Sequence, residues 1–148
     1  MEKVSRRSAL TFGAAAAAAT PLLAFATPAL ASGGGVPNYG PNDGKDIGNG
    51  RRLVEVGEVE SQIDAYKMVK IIDVVYQPGA ADPADQPVMD MDMVCHIIAS
   101  EFRIQKKGIP AYTVKEGFIY TCGKGKTDQA TNIGGVVGIH RIALLMPT

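Results

Sequence analysis

The sequence predicts an all-β fold, a small barrel or sandwich, and three observations support this. The chain has 148 residues, which is enough for one domain rather than two. Its apolar residues occur in short runs rich in Val, Ile, Tyr and Phe, without a sustained helical spacing. Glycines and prolines separate these runs at close intervals, as turns separate the strands of small antiparallel sheets.

Seven segments have the composition of strands. The most regular is 101–105, where apolar and polar side chains alternate before a Lys-Lys-Gly turn. The others are 53–56, 68–76, 93–98, 112–114, 118–121 and 136–146. Residues 59–66 contain helix formers, but their apolar stripe is weak, so the all-β interpretation is preferred.

The first 31 residues are typical of an export signal. A short charged start with Arg6 and Arg7 precedes an alanine-rich apolar stretch, and the small-residue pattern at 29–31 suits signal peptidase. Residues 5–10 resemble the twin-arginine (Tat) signal, although Ala9 stands where Phe is commonest. The alternative is a retained membrane anchor, but Pro21 interrupts a stretch that would need about 20 apolar residues. We therefore expect a periplasmic or secreted protein that meets the Tat translocase during export.

The remaining chain divides into two parts. Residues 32–50 are rich in Gly, Pro and Asn, so they predict a flexible arm that is either a linker or draped over a neighbouring subunit. Residues 51–148 form the predicted barrel domain. Without residues 1–31 the chain has 12 basic and 14 acidic groups and no basic run, which makes nucleic acid an unexpected partner.

The spacing of residues 117–132 resembles the second motif of the cupin superfamily. Gly117, Gly123, Gly125, Asp128 and Asn132 reproduce every interval of that motif. Two identities differ, because Gly123 stands in place of a proline and Asp128 in place of the metal-binding histidine. The resemblance implies a single cupin-like β-barrel, also called a double-stranded β-helix or jelly roll.

The first cupin motif can be aligned in two ways. Counting from Gly79 places Asp85 and Pro87 at the two histidine positions, Asp92 at the glutamate position and Ala99 at the closing glycine. No histidine occupies a motif position. The resemblance therefore implies the fold from about residue 67 to 145 but not the metal chemistry of the family.

The alternative alignment depends on the end of this motif. Matching Ser100-Glu101 to the usual Gly-Glu pair shifts the last two positions by one residue. Met93 then stands at the glutamate position, and the metal-binding carboxylate of the family has no counterpart.

The segment 89–96 is the most unusual in the chain. Strand alternation predicts Asp90, Asp92 and His96 on one face and a row of sulfur atoms on the other. The first face would suit Zn, Mn or Fe and the second Cu(I), so one divalent or copper ion is a possible cofactor. The candidate metal ligands are Asp90, Asp92, His96, Asp128 and His140. Alternatively, the methionines fill the barrel interior and the aspartates face solvent.

The two cysteines, Cys95 and Cys122, are predicted to form a disulfide in an oxidising compartment. Such a bond would stabilise the fold by ~3 kcal/mol. Two buried thiols are the next alternative, and a metal ligand at Cys95 is the third.

Three functions fit these observations. The leading one is a small-molecule binding module, in which a small organic ligand lies in an apolar, methionine-lined barrel. The second is a periplasmic metalloenzyme with an unusual metal site, and the third is a structural or accessory homodimer. Lys124 and Lys126 would make the barrel mouth locally positive. The predicted ligand-binding residues are Asp92, His96, Tyr112, Tyr120, Asp128 and Asn132.

Overall fold

The computed structural model describes residues 35–148, which form nine β-strands. They are β1 (Lys45–Gly48), β2 (Arg51–Glu60), β3 (Tyr66–Tyr76), β4 (Asp92–Ala99), β5 (Glu101–Gln105), β6 (Tyr112–Lys115), β7 (Ile119–Cys122), β8 (Gln129–Asn132) and β9 (Gly138–Pro147). This part of the chain contains no helix long and apolar enough to span a membrane. The predicted Tat signal, including Arg6 and Arg7, lies outside the described residues.

The strands form two antiparallel sheets. The larger has the order β1-β2-β3-β9-β4-β7, and the smaller has the order β6-β5-β8. Side chains from both sheets meet in one buried cluster. Because the regular elements of residues 35–148 are all strands, the all-β prediction is confirmed.

The core consists of alternate residues along the strands, those whose side chains face inward. Three strands illustrate this: β3 contributes Ile72, Val74 and Tyr76, β4 contributes Met93, Cys95 and Ile97, and β5 contributes Phe102 and Ile104. Because successive strand residues face opposite sides, the residues between them lie on the outer faces. The position of a polar residue in this alternation therefore decides whether its side chain points into the barrel.

Two observed strands were not predicted. Strand β8 has only one apolar residue, Ala130, so its composition gives no strand signal, yet it pairs with β5 along its whole length. Strand β1 lies inside the predicted arm and pairs with the start of β2. Tertiary hydrogen bonding, rather than propensity, forms both strands.

The arm contacts the outer face of the larger sheet. The Tyr39 hydroxyl donates a hydrogen bond of 2.6 Å to an Oδ atom of Asp73. Gly44 has a φ of 75°, and a Cβ atom there would lie 2.4 Å from the carbonyl oxygen of Leu53. A side chain at this position would therefore displace the arm from strand β2.

Candidate functional site

A cavity of about 220 Å³ lies against the inner faces of β3, β4 and β9. Its wall combines aliphatic and thioether groups with a small number of polar side chains, which is the usual composition of small-molecule sites. The apolar residues include Ile72, Val74, Met89, Met93, Ile142 and Leu144. The polar residues are Arg51, Tyr76, Asp82, Gln86, Asp128 and His140.

His140 is the buried imidazole of this cavity, with 3% of its surface exposed. It stacks on Tyr120 at a centroid distance of 5.7 Å and is tilted against the rings of Tyr76 and Phe102. Burial lowers the pKa of His140 to about 4, so the ring is neutral near pH 7. Its Nε2 atom lies 3.0 Å from the Tyr120 hydroxyl, whereas Nδ1 has no hydrogen-bond partner within residues 35–148.

Asp128 is the buried carboxylate of the same cavity and is 5% exposed. Desolvation raises its pKa, while the positive charge of Lys106 partly offsets that rise. Its Oδ1 atom has no hydrogen-bond partner among the described residues. The cavity wall therefore contains two buried polar groups, Asp128 and His140, each with one unsatisfied atom.

Tyr120 is the hydrogen-bond partner of His140. Burial is the main cause that raises the pKa of Tyr120, and the negative charge of Asp128 adds to the rise, so the phenol keeps its proton near pH 7. The hydroxyl and Nε2 of neutral His140 share one hydrogen bond of 3.0 Å, and the imidazole tautomer sets which of the two donates. When Nε2 carries the proton, Nδ1 is an acceptor, and the cavity then presents two acceptors without donors.

A second polar cluster in the cavity wall is fully satisfied. Asp82 accepts hydrogen bonds from Arg51, from the Tyr76 hydroxyl at 2.8 Å and from the backbone N–H of Ala130 at 2.8 Å. Sequence reasoning missed these residues, because Arg51 and Asp82 are 31 positions apart and belong to no recognisable motif. This cluster ties β2 to the chain before β4.

The predicted metal ligands do not come together. Met93, Cys95 and Ile97 of β4 are buried, so the sulfur-bearing face of this strand points inward. Asp92 and His96 lie between them on the opposite face. The predicted set is therefore divided between the two sides of the sheet, with Asp128 and His140 inside, Asp92 and His96 outside, and Asp90 exposed before β4. Within residues 35–148 no three His, Cys, Asp or Glu side chains are grouped so as to hold a metal ion.

Asp92, predicted as a ligand group, holds a turn instead. It accepts hydrogen bonds from the Tyr66 hydroxyl at 2.7 Å and from the Lys124 backbone N–H at 2.8 Å. The Lys124 N–H, followed by the Tyr66 hydroxyl, lowers the pKa of this carboxyl. His96 lies beside Arg141 in the strand register.

The side chain of Asn132 likewise forms its hydrogen bonds within the protein. Its side chain is fully buried, its Nδ2 donates to Val136 O at 2.8 Å, and its Oδ1 accepts from Ser100 Oγ at 2.8 Å and from Gly134 N at 3.1 Å. Tyr112 packs on the core, and its ring lies 6.5 Å from that of Tyr120. Of the six predicted ligand-binding residues, only Asp128 lines the barrel cavity, while Tyr120 contacts the lining residue His140.

The disulfide prediction is wrong, since Cys95 and Cys122 are both free, buried thiols. Cys122 lies opposite Met93 in the register of β4 and β7, and Cys95 lies opposite Tyr120. The two cysteines are therefore diagonal neighbours, for which a separation of about 7–8 Å is typical, beyond the usual reach of a disulfide. Burial raises the pKa of Cys95 to about 12, which makes this thiol unreactive.

Ser100 supports the second of the two motif alignments. Its φ of 75° lies in the left-handed region that favours glycine, as expected at the closing glycine position. Met93 then occupies the glutamate position, and its side chain lines the cavity together with Asp128 from the second motif.

Comparison with known proteins gives structural relatives only. No family model and no curated protein matches the sequence. KdgF from a Halomonas species superimposes with a TM-score of 0.57 and 12% identity, covering 70% of this chain and 87% of that one. An RmlC-like cupin from Shewanella frigidimarina gives 0.55 and 15%, covering 75% and 89%. An RmlC-like cupin from Methanocaldococcus jannaschii with a double-stranded β-helix gives 0.54 and 16%, covering 70% and 86%.

Identities this low say nothing about activity, but the coverage extends over most of each structure. The likeness agrees with the two antiparallel sheets of the described residues. The chain therefore has the cupin, or RmlC-like, double-stranded β-helix fold.

Proposed function

We propose that the protein binds a small, hydroxyl-bearing organic molecule in the barrel cavity. The observation that carries this proposal is the pair of unsatisfied buried polar atoms, Asp128 Oδ1 and His140 Nδ1, on residues that line one cavity. An unpaired buried polar atom costs about 1–3 kcal/mol. Two such atoms in one cavity are readily explained if a ligand supplies the missing donors.

The cavity selects for size. Its 220 Å³ hold about seven groups of the size of a water molecule, so the ligand is smaller than the drug-sized molecules that fill larger pockets. The aliphatic and thioether wall favours a carbon framework over a chain of waters, because it offers few hydrogen bonds.

The cavity also selects for charge. With the His140 proton on Nε2, both unsatisfied atoms accept hydrogen bonds, and the nearby Arg51 cation is already paired with Asp82. An anion would be repelled by Asp128, whereas a hydroxyl group donates without bringing a charge into the barrel. A neutral alcohol or diol therefore fits the wall better than a carboxylate does.

A matched pair of probes tests this proposal. We expect trans-1,2-cyclohexanediol to shift the amide NMR signals of the residues that line the cavity, and trans-1,2-dimethoxycyclohexane, which lacks donors, to shift them far less. The Asp128→Leu variant should lose the preference for the diol. If neither probe moves these signals, or if the variant keeps the preference, the cavity does not bind hydroxyl groups as proposed.

We also propose that this binding takes place outside the cytoplasm, on the basis of the twin-arginine pattern at Arg6 and Arg7. Protein recovered from the periplasm of a Tat-competent bacterium is expected to begin at Ser32. A periplasmic protein that still begins at Met1, or none at all, would contradict export by this route.

A further inference from the structure

We infer a second binding site, for small organic anions with an apolar body, in a basic groove that the function proposed above does not use. The groove has a volume of about 550 Å³ and lies between residues 106–109 and residues 121–127. Its charged lining residues are Lys106, Lys107 and Lys126. It shares no lining residue with the barrel cavity.

The charge of this groove is one-sided. Among the described residues, three lysines and no Asp or Glu line it, although the whole chain carries equal numbers of basic and acidic residues. None of the salt bridges within residues 35–148 involves these lysines. The positive charge of Lys106 lowers the pKa of the buried Asp128, so Lys106 is partly neutralised by that carboxylate. Lys107 and Lys126 are then the groove cations whose charge is not offset. A low-dielectric groove focuses such a charge on an anionic ligand.

The groove is also held in place. Lys106 Nζ donates a hydrogen bond of 2.6 Å to Thr121 O and lies 4.7 Å from the centre of the Tyr120 ring. The opposite wall is tied by hydrogen bonds of 2.9 Å from Gly125 N to Met89 O and from Met89 N to Lys126 O. Binding therefore requires little ordering of the backbone.

Apolar side chains identify the rest of the ligand. Val88 and Ile109 line the groove and are 59% and 48% exposed, so their side chains are available to contact a ligand. Within residues 35–148 no aromatic ring lines the groove, so this part of the chain offers no surface there on which nucleic-acid bases could stack. A carboxylate or sulfonate attached to a hydrocarbon body satisfies both the lysines and the aliphatic wall. The volume lies within the range of about 300–1,000 Å³ that ligand sites occupy.

The probe for this site is 1-anilinonaphthalene-8-sulfonate, whose fluorescence increases when it leaves water. We expect saturable binding to the full chain that weakens as the salt concentration rises, because the lysines are exposed to solvent. The double variant K107E/K126E should raise the dissociation constant at least about tenfold. N-phenyl-1-naphthylamine, the same ring system without the sulfonate, should be insensitive to this variant.

The control variant is K45E/K67E, which reverses two exposed lysines of β1 and β3 that lie outside the groove. It should leave the dissociation constant of the sulfonate within about twofold of the wild-type value. If both double variants weakened sulfonate binding equally, the protein would be responding to net charge alone, and the proposed site would be overturned. An unchanged constant in K107E/K126E, with the fold verified by circular dichroism, would overturn it as well. The Asp128→Leu variant should retain sulfonate binding, so the barrel cavity and the groove can fail separately.

Discussion

His140 and Arg141 are adjacent on β9 but belong to opposite faces of the sheet, and their surroundings differ. On the outer face, Arg141 forms two hydrogen bonds of 2.8 Å to Asp73, and Tyr39 adds a third to the same carboxylate. On the inner face, Nδ1 of His140 and Oδ1 of Asp128 have no partner within residues 35–148. One buried polar cluster is complete and the other is not.

The difference separates groups that hold the fold from groups that are available for binding. In a satisfied buried ion pair, removing one partner destabilises the fold because the other charge is left unpaired. An incomplete cluster lowers stability, and such costs are characteristic of functional sites. The outer cluster anchors the arm to the sheet, whereas the inner one gives the barrel cavity its polarity.

The largest expected effect comes from breaking the outer cluster. Asp73→Ala should lower the free energy of unfolding by about 3 kcal/mol, because it leaves Arg141 without its partner; a third of the Arg141 side chain is exposed, which limits the loss. Urea denaturation measures the change. The double variant D73L/R141M should recover most of the loss, and if it does not, the ion pair is not the source.

The second effect concerns pH on the inner face. Because the pKa of His140 is lowered to about 4 from its ordinary 6.5, only the unfolded state binds this proton as the pH falls between those values. This group should therefore remove up to roughly 3 kcal/mol of stability between pH 6.5 and pH 4. Denaturation of His140→Leu should show a smaller loss than the wild type over that range. Parallel curves for the two proteins would contradict a neutral, buried imidazole.

The third effect sharpens the role of the arm. Tyr39→Phe removes one hydrogen bond to a fully buried carboxylate and should cost about 1.5 kcal/mol, with earlier proteolysis of the arm. The matched control is Tyr66→Phe, which removes a similar bond to the less buried Asp92 and should cost less. Equal losses would show that the arm does not depend on the buried carboxylate.

The fourth effect has the opposite sign. Asp128→Leu should raise the free energy of unfolding by about 1 kcal/mol, because it removes a desolvated carboxylate with an unpaired oxygen. Asp82→Leu is the comparison, since it breaks a complete cluster and should destabilise the protein. Destabilisation by both would place Asp128 among the groups that hold the fold.

The smallest effect is expected at the surface. Lys115 and Glu101 approach within 4.0 Å, with three quarters of the lysine side chain exposed. Glu101→Gln should change the free energy of unfolding by less than about 0.5 kcal/mol. A larger change would mean that exposure alone does not rank the ion pairs of this protein.

Much of the fold could be predicted from local patterns. Strand β5 was predicted with its observed bounds because its alternation is regular and a turn follows directly. Strand β8 was missed because hydrogen bonding to β5, not composition, makes it a strand. For the site, the spacing of the second motif drew attention to Asp128, which lines the cavity, but the Asp82 cluster joins residues that are distant in the chain. Alternation in β4 separated acidic from sulfur-bearing residues correctly, yet gave no indication of which set faces inward.

The sequence by itself determined the all-β class, seven of the nine strands and the motif spacing that contains Asp128, because these depend on period and spacing along the chain. The tertiary structure alone decided which face of each strand is buried, because that depends on the strands to which it is paired. It set Cys95 diagonal to Cys122 rather than opposite it, and so left both thiols free. It also gave Asp73 a complete set of partners and His140 an incomplete one, because only packing brings donors to buried acceptors.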